Sequence, residues 1–428
     1  MAYNSISPAA GRAAALAADQ HDPLASFRDE FVVTDPALVY FDGNSLGRLP
    51  KRTIGHLQHV IAGEWGDELI RGWGTGWYDA PHRVGDKIGS LLGAAPGQVI
   101  ACDSTSVNLY KAVMASLAAR PGKTKIVSDA MNFPSDLYIM QGAIAHFGNV
   151  HTLQLVPSQD DELTVAPAAI AAAITPDTAL VCLSHVTFKS GFIYDMQEIT
   201  RLAHAVGALV IWDLSHSAGA VPMQLDAWNV DFAVGCCYKF LNGGPGAPAF
   251  IYVNSSIQDQ VTSPIWGWFG QKSPFAFDTV YTPASGIDRF LAGTPPMLAV
   301  SAVEASLDML VPVGMAAIRE KSVALTEYMI ALYDAHLANL GFRLGSPRDA
   351  AIRGSHVSIR HPMGYQINQA LIAEQKVIPD FREPDNLRLG LSPLTTSFSE
   401  VWDGVDRIRA TVAAGLHHKY PAARKVVT

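Results

Sequence analysis

The 428-residue sequence predicts an α/β fold with a mostly parallel central sheet, helices on both faces of the sheet, and a smaller α+β domain. Two observations carry this prediction. Residues 208–214 and 232–237 are nearly continuous apolar runs, which are typical of parallel strands covered on both faces. Strand-like and helix-like segments also alternate from Gln98 to Ala218, as they do in successive βαβ units.

The composition excludes several classes of protein. Hydrophobic residues make up 49% of the chain, yet no apolar run reaches the 18 residues that suggest a membrane span. A net charge of −8 without any concentration of Lys and Arg argues against a nucleic-acid partner. The four cysteines form no disulfide framework and residues 1–23 lack a signal-peptide apolar core, so a cytoplasmic location is predicted. No spacing typical of metal ligands occurs.

Three parts are predicted along the chain. Residues 1–70 form an N-terminal segment that packs with the small domain, 71–312 form the large α/β domain, and 313–428 form the small α+β domain. Helical patterns occur at 9–18, 53–71, 84–92, 107 onward, 196–208, 297–310, 316–340, 365–376 and 399–419. Strand patterns occur at 99–102, 124–129, 179–184, 208–214, 232–237, 247–253, 355–360, 377–380 and 387–392. The glycine- and tryptophan-rich stretch 72–83 is predicted to be a loop.

An acid and a lysine follow two of the buried strands. Asp213 ends the first apolar run and Lys239 lies just past the second, so both point to the sheet edge where open parallel sheets bind ligands. This pair suits pyridoxal phosphate, whose aldehyde forms a Schiff base with a lysine while a carboxylate pairs with the pyridinium nitrogen. For either residue alone, a turn-capping acid or a solvated lysine is the simpler interpretation. The glycines of 242–246 and apolar neighbours favour the cofactor interpretation, since they allow close backbone approach and partial burial.

A second ligand signal lies earlier in the chain. The strand at 99–102 runs into a hydroxyl-rich turn that contains Thr105 and Ser106, and a helix follows. Free N–H groups and the helix dipole at such a helix start favour a phosphate. The alternative is an ordinary helix cap, because Ser and Thr are common there.

Several motifs together resemble one enzyme family. The stretch 212–253, which contains YKFLNGGPG, is similar to kynureninase, a fold-type I pyridoxal-phosphate enzyme. The resemblance extends to YFDGNSLGRLP, STSVNL, NFPSD, GWFG, AGTPP and IPDFREPDNLRLGLSP, so it spans about Tyr40 to Pro393. YKFLNGGPG and FDGNSLG are its most specific motifs.

The resemblance implies pyridoxal 5′-phosphate as cofactor and assigns roles to individual residues. Phe133 would stack on the ring, Asp136 would lie near the ring nitrogen, and Tyr238 would contact the phosphate and donate protons. Trp268 and Thr294 would reach the phosphate of a neighbouring subunit, which implies a homodimer with shared active sites. The implied cofactor-binding residues are Thr105, Ser106, Phe133, Asp136, Ser184, Asp213, His216, Tyr238, Lys239, Trp268 and Thr294.

The resemblance also implies the reaction, which is hydrolysis of the Cβ–Cγ bond of L-kynurenine to anthranilate and L-alanine in tryptophan catabolism or NAD biosynthesis. Lys239, Tyr238 and Asp213 are the implied catalytic residues. Arg388 would clamp the substrate's carboxylate, with Arg382 as second choice. The implied substrate contacts at the N-terminal loop are Asn44 and Ser45. Thr294 stands where relatives that favour 3-hydroxykynurenine carry Asn, which predicts a preference for L-kynurenine.

Two other functional classes are alternatives for this sequence. A cysteine-desulfurase-like or aminotransferase-like enzyme of the same fold type is the nearest alternative, but a desulfurase needs a mobile nucleophilic cysteine and no cysteine follows Cys237. A catalytically silent regulatory protein would lack the lysine or carry a fused DNA-binding segment. The sequence shows neither feature.

Overall fold

The computed structural model describes residue 3 and residues 6–423. Residues 1, 2, 4, 5 and 424–428, at the ends of the first and third predicted parts, lie outside the described residues. The helices are α1 (Gly11–Gln20), α2 (Lys51–His59), α3 (Ala80–Leu92), α4 (Thr105–Ala118), α5 (Pro134–His146), α6 (Pro167–Ala173), α7 (Met196–Ala205), α8 (Met297–Val313), α9 (Met315–His336), α10 (Gly364–Glu374) and α11 (Phe398–Ala413).

Strands of the described part form three sheets. In chain order they are β1 (Val39–Tyr40), β2 (Val99–Ala101), β3 (Lys125–Asp129), β4 (Thr152–Val156), β5 (Thr178–Ser184), β6 (Leu209–Asp213), β7 (Phe232–Cys236), β8 (Ala249–Val253), β9 (Arg343–Leu344), β10 (His356–Arg360), β11 (Val377–Ile378), β12 (Asp380–Arg382) and β13 (Asn386–Gly390). The large sheet has the order β2–β8–β7–β6–β5–β3–β4. Strands β4, β3, β5, β6 and β7 run parallel, and only β8 runs antiparallel to both of its neighbours.

Burial on both faces explains the apolar runs of the central strands. Along β6, Val210 and Trp212 belong to the core shared with α3, α7 and α8, while Leu209 and Ile211 belong to the core shared with α4 and α5. Because alternate side chains enter different cores, every position of the strand before Asp213 is apolar. The predicted fold class is confirmed: a mostly parallel sheet covered by helices, with a smaller α+β part.

The C-terminal part contains an antiparallel sheet with the order β12–β13–β10–β9. The N-terminal segment reaches this part, because β1 pairs in parallel with β11 and Arg12 forms an ion pair with Asp403 of α11. The boundaries 1–70, 71–312 and 313–428 stay a prediction.

Two stretches depart from the sequence predictions. The helix expected over 53–71 is α-helical only to His59 and continues as a π-helical stretch (Val60–Glu68) and a 3-10 turn (Leu69–Arg71). The stretch 72–83, expected to be a loop, contains a π-helical turn at Trp73–Trp77 and the start of α3. Edge-on packing of Trp73 against Trp77 at 5.6 Å stabilises this turn, and α3 has Pro81 in its first turn, where proline is favourable.

Helices α8 and α9 are bent by 84° at Gly314, which has a φ of 78°. Within the described residues, no single helix has the length and apolar character to cross a membrane. Only this bent pair meets the length and composition requirements when its two helices are taken together.

Candidate active site

A cleft of about 230 Å³ lies at the carboxyl ends of β5, β6 and β7, between the starts of α4 and α5 and the strands β12 and β13. Its lining residues are Ser45, Thr105, Ser106, Phe133, Ser135, Asp136, Ser184, Phe188, Asp213, Ser215, His216, Tyr238, Lys239, Arg382 and Arg388. Eleven of the fourteen residues predicted for the site are among them. The position follows from parallel strand polarity, since the carboxyl ends of adjacent strands share one edge.

Asp213, at the end of β6, is held by local hydroxyl and amide groups. Its Oδ1 accepts hydrogen bonds from the backbone N–H of Ser215 at 2.9 Å and from the Ser215 hydroxyl at 2.6 Å. Its Oδ2 is 3.5 Å from the hydroxyl of Ser184, the residue beside it on β5. Because Oδ2 has only this long contact, it can accept a stronger hydrogen bond from a ligand.

Asp136, in the first turn of α5, is the second acid of the cleft. It is 3% exposed, and its Oδ2 has no hydrogen-bond partner in the described part of the chain. Burial, and next the charge of Asp213, raise the pKa of Asp136 well above its usual range. Burial therefore favours the protonated form of Asp136.

Lys239 contacts a neutral histidine. Its Nζ donates a hydrogen bond to Nε2 of His216 at 3.0 Å. Burial, and next the charge of Lys239, lower the pKa of His216 well below its usual range, so the imidazole accepts at Nε2 and carries its proton on Nδ1. That Nδ1 is buried and has no partner among the described residues.

The starts of α4 and α5 converge on the cleft. The hydroxyl oxygens of Ser106 and Ser135 are 3.3 Å apart. The hydroxyl oxygen of Ser104, the N-cap of α4, accepts a hydrogen bond from the N–H of Val107. The first N–H groups of α4, including that of Thr105, have no partner inside the helix. Two helix starts with hydroxyl groups form a suitable site for a phosphate.

The chain turns into α4 through Asp103, whose φ of 49° is left-handed. Its carboxylate is held by Nζ of Lys111 at 2.7 Å, and Lys111 is fully buried. A residue with positive φ needs such support from its surroundings. This ion pair was not predicted from the sequence, although the spacing of Asp103 and Lys111, an acid followed eight positions later by a lysine on a helix, could have indicated it.

Aromatic side chains border the opening of the cleft. Phe133 is 42% exposed, and its ring meets Phe188 edge-on at a centroid distance of 5.3 Å. Tyr238 is half-buried, and burial raises the pKa of its phenol, so the phenol keeps its proton at neutral pH. An exposed Phe face at a polar cleft can stack on a planar ring.

Arg388 of β13 is fully buried and faces the sheet residues across the cleft. Its Nη1 donates to the carbonyl of Phe188 at 2.7 Å, and its Nη2 donates to the hydroxyl of Ser45 at 2.9 Å and to the carboxylate of Asp380. Its Nε has no partner in the described residues. Arg382 also lines the cleft and pairs with Oδ1 of Asp380 at 3.0 Å. An Asp380-bridged arginine pair therefore forms the cation site of the cleft.

The cleft has two facing sides, the sheet wall and the arginine wall. The sheet wall consists of Asp136, Ser184, Asp213, His216 and Lys239. The arginine wall consists of Ser45, Arg382 and Arg388, which line the cleft, together with Asp380, which pairs with both arginines, and Asp42, whose backbone bridges Gly390 of β13.

The N-terminal loop reaches the cleft by close backbone packing. Cβ at Gly47 would lie 2.4 Å from the carbonyl oxygen of Lys239, so only glycine allows this approach. The loop brings Ser45 into the cleft but not Asn44, which is fully buried against Gly390 and has no hydrogen-bond partner in the described part. The substrate contact expected of Asn44 stays a prediction; in this structure its side chain lies behind the arginine wall, because Gly390 leaves room for it there.

Trp268 and Thr294 do not line the cleft of this chain. Trp268 is 41% exposed in a 3-10 turn (Trp268–Gly270), where its ring packs edge-on against Phe269 at 4.4 Å. Thr294 is also exposed.

Three lining residues were not identified from the sequence. Ser135 and Ser215 each lie within two positions of a predicted site residue and carry hydroxyls, which is the signal that could have found them. Phe188 had no such signal, because it enters through the tertiary course of the segment after β5.

The residues present fit pyridoxal phosphate. Buried polar atoms without partners, Oδ2 of Asp136 and Nδ1 of His216, face a cleft that also has paired helix starts, an aromatic side chain and a lysine amine. No group of three or more His, Cys, Asp or Glu side chains within the described residues could hold a metal ion. All four cysteines are free and buried.

The sequence of this chain matches two family models and is similar to known kynureninases. A family model described as "Kynureninase C-terminal domain" matches residues 318–408, and the DegT/DnrJ/EryC1/StrS aminotransferase family model matches residues 69–224. "Kynureninase" of Pseudomonas fluorescens is 45% identical over 395 residues, which cover 91% of this chain and 92% of the relative. "Kynureninase" of Burkholderia pseudomallei (strain K96243) is 45% identical over 404 residues, which cover 93% and 94%.

Solved structures resemble the fold at low sequence identity. An apo cysteine desulfurase from Thermococcus onnurineus NA1 has a TM-score of 0.78 at 18% identity, covering 91% of this chain and 98% of that one. A C-DES mutant with glycine covalently linked to its PLP cofactor has the same TM-score and identity, covering 89% and 98%. At this identity the likeness shows the fold-type I architecture alone.

Proposed function

The chain belongs to the kynureninase family, and from that premise we propose that it hydrolyses the Cβ–Cγ bond of L-kynurenine to anthranilate and L-alanine. The proposal rests on the observation that Lys239, Asp213 and Arg388 line the same cleft, with Arg388 opposite the other two. Mixing the purified holoenzyme with L-kynurenine should produce anthranilate fluorescence together with one equivalent of L-alanine. Absence of both products would contradict the proposal.

The cofactor is pyridoxal phosphate, which when bound supplies an electron sink for the substrate's α-carbon. Lys239 would hold its aldehyde carbon, Asp213 its ring nitrogen, and Thr105 and Ser106 its phosphate. Phe133 would stack on the ring and Asp136 would keep a neutral carboxyl beside Asp213. Ser184 and His216 complete its contacts within the chain.

Proton transfers are assigned to two residues of the cleft. The Nζ of Lys239 removes the proton from the substrate's α-carbon, and neutral His216 orients that amine through the 3.0 Å hydrogen bond. The phenol of Tyr238, which keeps its proton because burial raises its pKa, donates to the carbon that becomes the methyl group of alanine. The oxygen of the hydrolytic water ends in the carboxylate of anthranilate.

Arg388 binds the substrate's carboxylate and so orients its α-carbon toward Lys239. A guanidinium suits this role because its planar donors can form two parallel hydrogen bonds to one carboxylate. The unpartnered Nε of Arg388 supports the assignment, since a buried donor without a partner is costly until a ligand accepts from it. Ser45 fixes the guanidinium from the N-terminal loop.

A cysteine desulfurase is the alternative within the same fold. Such an enzyme requires an accessible nucleophilic cysteine, and burial raises the pKa of all four thiols of this chain. The cysteine content therefore favours kynureninase. Free cysteines also agree with a cytoplasmic location, which we include in the proposal.

The proposal includes a homodimer with shared active sites, in which Trp268 and Thr294 reach the cofactor phosphate of the partner subunit. Their exposure supports this arrangement, as do the exposed apolar side chains Ile70, Phe275 and Phe277. The rings of Trp268, Phe275 and Phe277 are in contact, and contiguous exposed apolar surface is typical of an interface.

Hybrid dimers test the shared sites. Lys239→Ala and Trp268→Ala proteins, each inactive alone, should regain activity when subunits are exchanged, because one of the two sites of a hybrid is then intact. Mixing two preparations of Trp268→Ala is the matched control. A fully active monomer in light scattering would contradict the arrangement.

A further inference from the structure

The arginine wall encloses two carboxyl groups that the proposed chemistry does not use. Asp380 is 2% exposed and bridges Arg388, through its Oδ2, and Arg382, through its Oδ1. Asp42, on the N-terminal loop, has an Oδ1 that is shielded from solvent and lacks a hydrogen-bond partner among the described residues. The carboxyl group of Asp42 is thus much less well satisfied than that of Asp380.

One hydroxyl links these groups. The Ser45 hydroxyl accepts from Nη2 of Arg388 at 2.9 Å and lies 3.3 Å from Oδ2 of Asp380. Burial, and next the charge of Asp380, raise the pKa of Asp42 to about 6, while Ser45, Arg388 and Arg382 act in the opposite direction. Because a hydroxyl has a single proton to donate, Ser45 cannot satisfy both carboxylates at once.

Charge balance determines what substrate binding does here. With both acids ionised, the two guanidinium groups are neutralised. A substrate carboxylate placed on Arg388 then adds one uncompensated negative charge to a buried site, which is unfavourable. Asp380 is already paired with both arginines, so the group that can relieve the excess charge is Asp42.

We propose that Asp42 takes up one proton from solvent when the substrate's carboxylate binds to Arg388, so that carboxylate binding and proton uptake are coupled. This inference rests on the proposed function, specifically on Arg388 as the carboxylate clamp. The step converts the carboxylate of Asp42 and a proton into a carboxylic acid, and no other bond changes.

Neighbouring ionisable groups do not titrate in the relevant range. The phenol of Tyr40 has a pKa raised by burial, and the pKa of Arg388, although lowered by burial, starts from the high value that is usual for a guanidinium. Burial lowers the pKa of His356 on β10 to about 3 and that of His216 well below its usual value. Asp42 is therefore the group of this wall that changes charge between pH 6 and 8.

The sign of the pH dependence follows. Above about pH 6, Asp42 of the free enzyme is ionised and must gain a proton on binding, so affinity for a carboxylate falls as the pH rises. The limit for one proton is about a tenfold increase in Kd for each pH unit, until the pH passes the pKa of Asp42 in the complex.

The probe is 4-(2-aminophenyl)-4-oxobutanoate, which is kynurenine without its α-amino group and therefore lacks the aliphatic amine through which a substrate would react with the cofactor. Calorimetric titration of the holoenzyme at pH 7.5 in phosphate and in Tris buffer gives the number of protons taken up from the difference in heats. We expect close to one proton for the native enzyme and for the control Asp35→Asn, an exposed acid of the same segment. Asp42→Asn should bind the probe with no uptake and with a Kd independent of pH from 7 to 8.

Several outcomes would overturn the inference. The first is that the native enzyme binds the probe in an Arg388-dependent way without taking up a proton. The second is that proton uptake persists in Asp42→Asn. Each of these results would leave the proposed function intact. Unchanged probe binding in Arg388→Lys would instead remove the proposed clamp and the inference with it. If Asp42→Asn does not fold, Ser45→Ala replaces it as the test variant. Loss of the hydroxyl that lowers the pKa of Asp42 should move the inflection in the plot of Kd against pH to a higher pH. An inflection at an unchanged pH would contradict the inference.

Discussion

The sheet wall and the arginine wall of the cleft treat buried charge differently. On the sheet wall, Asp213 is satisfied by neighbours at its own strand ends, while Asp136 and His216 keep buried polar atoms without partners among the described residues. On the arginine wall, Asp380 is already paired with Arg382 and Arg388. The sheet wall therefore offers open hydrogen-bonding positions, and the arginine wall offers charges that must share their partners with a ligand.

This difference separates a permanent ligand from a transient one. Unpaired polar atoms in a fixed geometry gain from a cofactor that stays bound, because each new hydrogen bond removes a desolvation cost. The arginine wall also has unpartnered atoms, Nε of Arg388 and Oδ1 of Asp42, but its charges are largely balanced by internal ion pairs, so it can release a product carboxylate. Variants on the two walls should accordingly change different kinetic parameters.

The largest effect is expected on the sheet wall, from Lys239→Ala. Loss of the attachment point and of the base should lower kcat by at least about a thousandfold. Native protein treated with borohydride should carry the cofactor on the peptide that contains Lys239, and the variant should not. Trapping on another lysine would move the attachment site and weaken the contrast between the walls.

An intermediate effect is expected on the arginine wall, from Arg388→Lys. Loss of paired hydrogen bonds to the substrate's carboxylate should cost about 1.5–3 kcal/mol and raise KM at least about tenfold. The absorbance of the cofactor should not change, because the sheet wall is intact. The matched control is Arg382→Lys, whose side chain is 35% exposed against 2% for Arg388, and its KM should change less. The opposite ranking would make Arg382 the clamp.

The smallest effect concerns the aryl ring, which must lie between the walls. A site without a partner for a ring hydroxyl has to desolvate that group without compensation, so kcat/KM for L-kynurenine should exceed that for 3-hydroxykynurenine by about tenfold, or about 1.4 kcal/mol. The prediction depends on the family resemblance, which implies an Asn at the position of Thr294 in relatives that favour the hydroxylated substrate. Both substrates competing in one vessel give the product ratio directly. A preference for 3-hydroxykynurenine would mean that a donor or acceptor meets the ring.

Much of the sheet wall was predictable from the sequence because its geometry is local. The apolar runs 208–214 and 232–237 correspond to β6 and β7, and a residue at the end of a parallel strand has one direction to face. Asp213 and Lys239 could thus be placed at one edge before their distances were known. The turn that starts α4 was placed by the same reasoning, whereas α5 was not predicted as a helix and its site residues came from the family resemblance.

Only the tertiary structure assembled the arginine wall. Ser45 meets Arg388, and Asp42 bridges Gly390, because the N-terminal loop packs against β13, where Gly390 accepts the side chain of Asn44 and Ser45 enters the cleft instead. Periodicity fixes which face of a strand a side chain occupies. It does not fix which distant segment covers that face, because this depends on packing between elements far apart in the chain.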